Sequence, residues 1–194
     1  MKLFNVFAAF LFIGMLNNAE AQKRTIAGVE FPTIMKINKK VVTLNGGGLR
    51  EKYTIDLYVV GLYLRNPSMN AKKIMTADEE MAMKIEIVSN KVTRDKFVES
   101  VKEGFEKSPG ATAQNINQFM KFFSDPFKKG DKIIMVYKPG IGTVFYKNKE
   151  KRGVIKEIPS EKLGVCPFKS AMFGIWIGDK PASKKLKQQI LGKI

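Results

Sequence analysis

The segment Leu44–Asn66 reads LNGGGLREKYTIDLYVVGLYLRN. Three glycines lead into Arg50, and from Tyr53 to Leu64 the chain starts as an alternating strand and becomes apolar on both faces. A strand loses its polar face when it is covered from above and below, so this one belongs in the middle of a packed sheet. Side chains alternate along a strand. Read as one continuous strand, Arg50, Thr54, Asp56, Tyr58, Val60, Leu62 and Leu64 share a face, and Tyr53, Ile55, Leu57, Val59, Gly61 and Tyr63 share the other. Arg50 and Tyr58 then present a charged fork and a phenol to the same side, a combination suited to a carboxylate or an enolate. The same residues also fit a structural role, with Arg50 paired to Asp56 or another acid and Tyr58 in the core. The residues alone leave both open.

Outward from this strand, the pattern predicts a succession of short elements. Val29–Pro32 is a strand stopped by its proline, and Met35–Ile37 and Lys40–Leu44 flank Asn38-Lys39, a hairpin turn. Asn66-Pro67 ends the long strand. Asn70–Met75 suits a short helix, and Met81–Val88 (MAMKIEIV) an alternating strand. Thr93 is placed to cap a helix, TRDKFVESVKEGFEKS, whose Phe97, Val98, Val101 and Phe105 recur at helical spacing. Asn115–Ser124 reads as a further helix. Lys132–Tyr137, Thr143–Lys147 and Gly153–Glu157 read as three strands, with Asn148-Lys149-Glu150 as the last turn. Phe168–Trp176 and Ser183–Leu191 close the chain as helices. Strands first, helices in the middle, a meander and closing helices predict an antiparallel α+β domain with its helices on one face.

The first 21 residues, MKLFNVFAAFLFIGMLNNAEA, carry a basic start, an apolar run and a small-x-small ending, which is a secretory signal cut after Ala21. Residues 22–194 are then expected to form a single exported domain, periplasmic or secreted. Cys166 is the one cysteine and there is no histidine. Cys-His and Ser-His catalysis therefore has no base, and no ligand cluster suggests a metal; no cofactor is expected. The formal net charge is +16. An exported protein seldom meets nucleic acid, and no nucleic-acid motif is present. What remains is a solvated lysine-rich surface or attraction to anionic lipid. On the last helix, Lys184, Lys185, Lys187 and Lys193 alternate with Leu186, Ile190 and Leu191, a pattern that serves either a membrane surface or packing on the sheet.

The order Leu44-x-Gly46-x-Gly48-x-Arg50, then Tyr58-x-x-Gly61-Leu62-Tyr63-Leu64, resembles the chalcone isomerase-like superfamily. So do Phe168-x-x-x-Met172-Phe173-x-Ile175-Trp176-Ile177-Gly178-Asp179-x-Pro181 and the upstream Gly28-Val29-x-Phe31-Pro32. The resemblance spans nearly the whole of residues 22–194. It implies an open-faced β-sandwich, a large antiparallel sheet backed by a layer of helices, with a ligand cleft between them. Members comprise plant enzymes that cyclise chalcones, fatty-acid-binding relatives and exported bacterial forms, the last being the group this chain looks most like.

The enzyme pattern carries over only in part. Its arginine falls on Arg50. Its threonine on the long strand falls on Tyr58, its tyrosine and asparagine on the middle helix fall on Thr93 and Ser100, and its small hydroxyl residue near the C-terminus falls on Ile175. Ring closure needs charge stabilisation where the oxyanion develops and a substrate held for attack; here the orienting groups are replaced. The resemblance therefore implies a non-catalytic binder of a fatty acid or similar amphipathic anion, with Arg50, Tyr58, Thr93, Ser100 and Ile175 as ligand-binding positions. The alternatives are an isomerase or lyase acting on an unsaturated carbonyl compound, or an interaction protein that uses its basic face.

Overall fold

The computed structural model describes residues 22–160 and 164–194; the expected signal, residues 1–21, lies outside them. Its centre is a seven-stranded antiparallel sheet in sequential order: β3 (Ile34–Ile37), β4 (Lys40–Lys52), β5 (Ile55–Leu64), β6 (Met81–Ile87), β7 (Lys132–Lys138), β8 (Gly142–Lys147) and β9 (Glu150–Ile155). Five helices complete the domain: α1 (Ala71–Thr76), α2 (Arg94–Lys107), α3 (Ala113–Phe122), α4 (Pro167–Ile177) and α5 (Lys184–Ile190). Val60, Leu62, Met83, Ile85 and Met135 pack with the buried residues of α2 to α5 in the main core. The opposite face is covered around Val59, Tyr63 and Ala82 by a separate hairpin, β1 (Lys23–Ile26) with β2 (Val29–Pro32), through Phe31. The expected open-faced α+β architecture is the one observed.

The opening segment folds differently from its expected form. The glycine run is not the entry to the long strand but the middle of β4, which runs on past the expected end at Leu44, and Tyr53-Thr54 is a two-residue turn into β5 with φ of 50° and 63°. Left-handed conformations at both central residues match the twist of a two-residue hairpin. That the turn lacks the usual asparagine or glycine is why alternation runs on through it unbroken. The glycines serve close approach instead. A Cβ on Gly46 would lie 2.7 Å from the Ile190 carbonyl oxygen of α5, and one on Gly47 would lie 2.7 Å from Ile26 Cδ1 on the other face. Larger side chains here would lift both covering layers off the sheet.

Smaller differences have local causes. β1 lacked a hydrophobic signature, since three of its four residues are exposed; it is held by its register with β2 and the positive φ of Ala27 and Gly28. α3 starts at Ala113 rather than Asn115 because Thr112 and Asn115 form a capping box. β9 starts at Glu150, since Asn148-Lys149, both at positive φ, complete the turn alone. Glu157, expected at the end of that strand, leaves the sheet. Its carboxylate accepts from the backbone N–H groups of Phe168 at 3.0 Å and Lys169 at 2.9 Å, the position where a negative charge complements a helix dipole.

α4 is apolar all round and buried, as a helix must be when covered on every side. Its one buried lysine, Lys169, donates to the carbonyls of Met75 at 2.6 Å and Ala77 at 2.7 Å, tying the end of α1 to α4. On α5, Leu186, Ile190 and Leu191 are buried against the sheet. Of the two uses open to that helix, its apolar side is taken by packing; Lys184 and Lys185 are exposed, while the half-buried Lys187 donates to the Gly178 carbonyl at 2.8 Å.

Candidate functional site

The cross-strand register of β4 and β5 builds the site. Arg50 stands directly opposite Tyr58, with a bulge between Arg50 and Glu51. On one continuous strand the two would be about 26 Å apart. As a cross-strand pair their Cβ atoms are about 5 Å apart. The hairpin therefore brings together what the sequence pattern only aligned to one face.

These residues face a cleft of about 410 Å³ bounded by the sheet, α2, α4 and the segment after α4, a volume typical of small-molecule sites. Leu57, Ile85, Ile87, Val92, Phe97 and Ile175 form its apolar lining. α2 lies close over α4 because residue 104 is glycine: a Cβ there would sit 2.9 Å from Ile175 Cγ2. Around the opening are Lys52, Lys91, Lys96, Lys107 and Lys180, set against Glu99 and Glu103. The balance is basic, so the cleft favours an anion.

The polar chemistry is concentrated at Tyr58. Trp176 on α4 donates its indole N–H to the Tyr58 hydroxyl oxygen at 2.9 Å. Burial pushes the Tyr58 phenol above its ordinary pKa; the Trp176 hydrogen bond, and then the charge and hydrogen bond of Arg50, act in the opposite direction. Both neighbours are donors only, so the phenol oxygen is already an acceptor and its proton stays available. Arg50 also donates to the Glu51 carbonyl. Among the described residues no carboxylate pairs with it: Asp56 is exposed and takes no part in an ion pair. The structural alternative of an Arg50–Asp56 pair is not what the hairpin forms. Arg50 and Tyr58, the latter oriented by Trp176, thus make a donor group on the wall of an apolar cleft, and among the described residues no acid pairs with it.

The remaining positions divide. Ser100, exposed on α2, and Ile175, buried on α4, line the cleft with Arg50 and Tyr58. Thr93 does not; its hydroxyl accepts from the Lys96 N–H at 3.4 Å and caps α2, outside the lining. The sequence reading missed Trp176 as a site residue, although it is the one tryptophan of the chain and sits in the most apolar helix. The lysine rim had no sequence signal, because its members come from four separate segments. Among the described residues no cluster of acidic, cysteine or histidine side chains is arranged to hold a metal. No described helix is long and apolar enough to cross a membrane.

Comparison with known proteins agrees with this architecture. No curated protein matches the chain by sequence. Among solved structures, the chain is similar to the crystal structure of an Arabidopsis thaliana fatty-acid binding protein, with 23% sequence identity and a TM-score of 0.64, covering 84% of this chain and 92% of that one. At that identity the likeness speaks for the fold. A family model described as chalcone isomerase-like matches residues 23–192, almost the full described length. The chain belongs to the chalcone isomerase-like family.

Proposed function

We propose that this protein is an exported, non-catalytic carrier that binds a fatty acid or similar amphipathic anion in the cleft between sheet and helices. The observation that carries this reading is the donor group of Arg50 and Tyr58, the latter held by Trp176, with which no carboxylate among the described residues pairs, beside an apolar lining. A ligand carboxylate would accept from the Arg50 fork and from the Tyr58 O–H, both charge-assisted. Its hydrocarbon chain would lie against Leu57, Ile87, Phe97 and Ile175, where apolar burial contributes about 0.8 kcal/mol per methylene. The similar Arabidopsis chain is a fatty-acid binding protein, which supports the same ligand class.

Against cyclisation chemistry, the groups that would orient a substrate are replaced. Thr93 is committed to capping α2, and Ile175 offers only hydrocarbon. The signal-like pattern of residues 1–21 supports export.

Native mass spectrometry of the purified protein tests the reading. A bound species matching a long-chain acid, released on denaturation, is the expected result. Protein that is empty and takes up no added fatty acid, yet turns over an unsaturated ketone, would favour the isomerase alternative.

A further inference from the structure

The mouth of the cleft carries features that ligand binding does not require. At the tip of the β4–β5 hairpin the Tyr53 side chain is 85% exposed, and Ile55 beside it is 39% exposed. The Lys52 ammonium lies 5.6 Å from the centre of the Tyr53 ring. Across the opening stand Lys91 just before α2, Lys96 on α2 and Lys180 after α4. Among the described residues none of Lys52, Lys91, Lys96 and Lys180 forms an ion pair, whereas Lys107 on the same rim has Glu103 at 3.9 Å. An exposed aromatic and an exposed isoleucine thus share the opening with four lysines outside any ion pair, a positive excess over the nearby Glu99 and Asp56.

We propose that this mouth docks on an anionic lipid surface, with Tyr53 and Ile55 in the headgroup layer and the four unpaired lysines facing lipid phosphates. Tyrosine suits that position because its ring is apolar and its hydroxyl stays hydrated. Each lysine near an anionic membrane strengthens binding roughly fivefold. A second copy of this chain does not fit the same patch. A two-fold contact would set the lysines of one protomer against those of the other, and like charges in register repel. The last helix is a poorer candidate, since its apolar residues are buried in the fold. Docking in this orientation sets the opening of the cleft on the bilayer, so an acyl ligand passes between membrane and cleft without crossing water. This last step rests on the ligand class proposed above; the docking itself does not.

The test is co-sedimentation of the full chain with phosphatidylcholine vesicles, with and without phosphatidylglycerol, at low salt. The protein is expected on the phosphatidylglycerol vesicles only. Lys52→Glu/Lys91→Glu/Lys96→Glu lowers the partition coefficient by roughly a hundredfold or more, and Tyr53→Ser lowers it several-fold. Lys36→Glu/Lys39→Glu/Lys40→Glu, with the same charge change at the opposite end of β4, leaves most of the binding intact. Equal losses in the two triple variants would overturn the proposal, because attraction would then follow net charge and not the mouth. So would a wild-type protein that binds fatty acid in solution but no anionic vesicle, a result that leaves the ligand reading untouched. Vesicle binding without any fatty-acid binding in solution would keep the docking and overturn the acyl exchange.

Discussion

Replacing Arg50 by alanine separates a ligand-holding arginine from a structural one. The side chain is half-buried on β4 opposite Tyr58 and has no carboxylate partner among the described residues. Its removal therefore leaves no buried acid unpaired, and the several kcal/mol that accompany a broken buried ion pair do not arise. The fold loses cross-strand packing and one bond to the Glu51 carbonyl, about 1 kcal/mol. The ligand loses a charge-assisted hydrogen bond, about 1.5–3 kcal/mol, or roughly 10- to 150-fold in Kd. Tyr58→Phe should lose on both sides, with a larger share in the fold than Arg50→Ala. It removes a neutral donor to the ligand, but it also strips the buried Trp176 indole N–H of its acceptor, which destabilises the fold by about 1–3 kcal/mol. Calorimetric titration with a long-chain acid and thermal unfolding on both variants give the two quantities. A large fall in Tm for Arg50→Ala, with ligand affinity unchanged, would refute the reasoning and return Arg50 to a structural role.

Three further outcomes are expected. Asp131 is buried within 3.3 Å of the buried Lys147; burial alone would raise its pKa, but hydrogen bonds from Asn148 and the Lys128 N–H, and the Lys147 charge, hold it below the usual carboxylate value of 3.8. A depressed folded pKa adds stability that is present above pH ~3.8 and lost as pH falls through the folded value. Asp131→Asn should therefore lower stability at pH 7 by about 1.5–3 kcal/mol, the range for a hydrogen bond to a charged group, because Asp125 at 2.6 Å still pairs Lys147; it should also flatten the pH dependence below pH ~4, as read by urea unfolding. Chalcone cyclisation should stay near the uncatalysed rate in a spectrophotometric assay; turnover that disappears in Arg50→Ala would contradict this. If the proposed export holds, the intact mass of the mature protein should match a chain beginning at Gln22, and a membrane-retained form starting at Met1 would contradict export.

The sequence pattern carried most of the fold because its informative residues are local. Thr93 as a helix cap, Asn38-Lys39 as a turn and the alternation of Met81–Ile87 each state their geometry within a few residues. The β4–β5 turn failed to show because Tyr53-Thr54 adopts a conformation that neither residue favours, which only the pairing of two long strands can impose. Arg50 and Tyr58 share a face, but through a different connection from one continuous strand: partners across a two-residue turn are an odd number of residues apart, as Lys52 and Ile55 are, and the bulge between Arg50 and Glu51 restores an even spacing. Trp176 and the lysine rim were illegible, since they meet Tyr58 and each other only after helices pack on the sheet. Thr93 shows the limit of matching positions to a family pattern. Its local role as a cap decides where it sits, and that place is outside the cleft.

The most direct test of the central claim is a paired titration of the wild-type protein with a long-chain fatty acid and with the alcohol of the same chain length. Both present the same hydrocarbon to Leu57, Phe97 and Ile175, and only the acid offers a carboxylate to Arg50 and Tyr58. Saturable binding of one acid per chain is expected, with the alcohol weaker by at least about tenfold, the lower end of a charge-assisted bond. Equal affinities would contradict it, since the arginine and phenol would then contribute nothing; no binding of either would mean that the cleft does not hold an acyl chain.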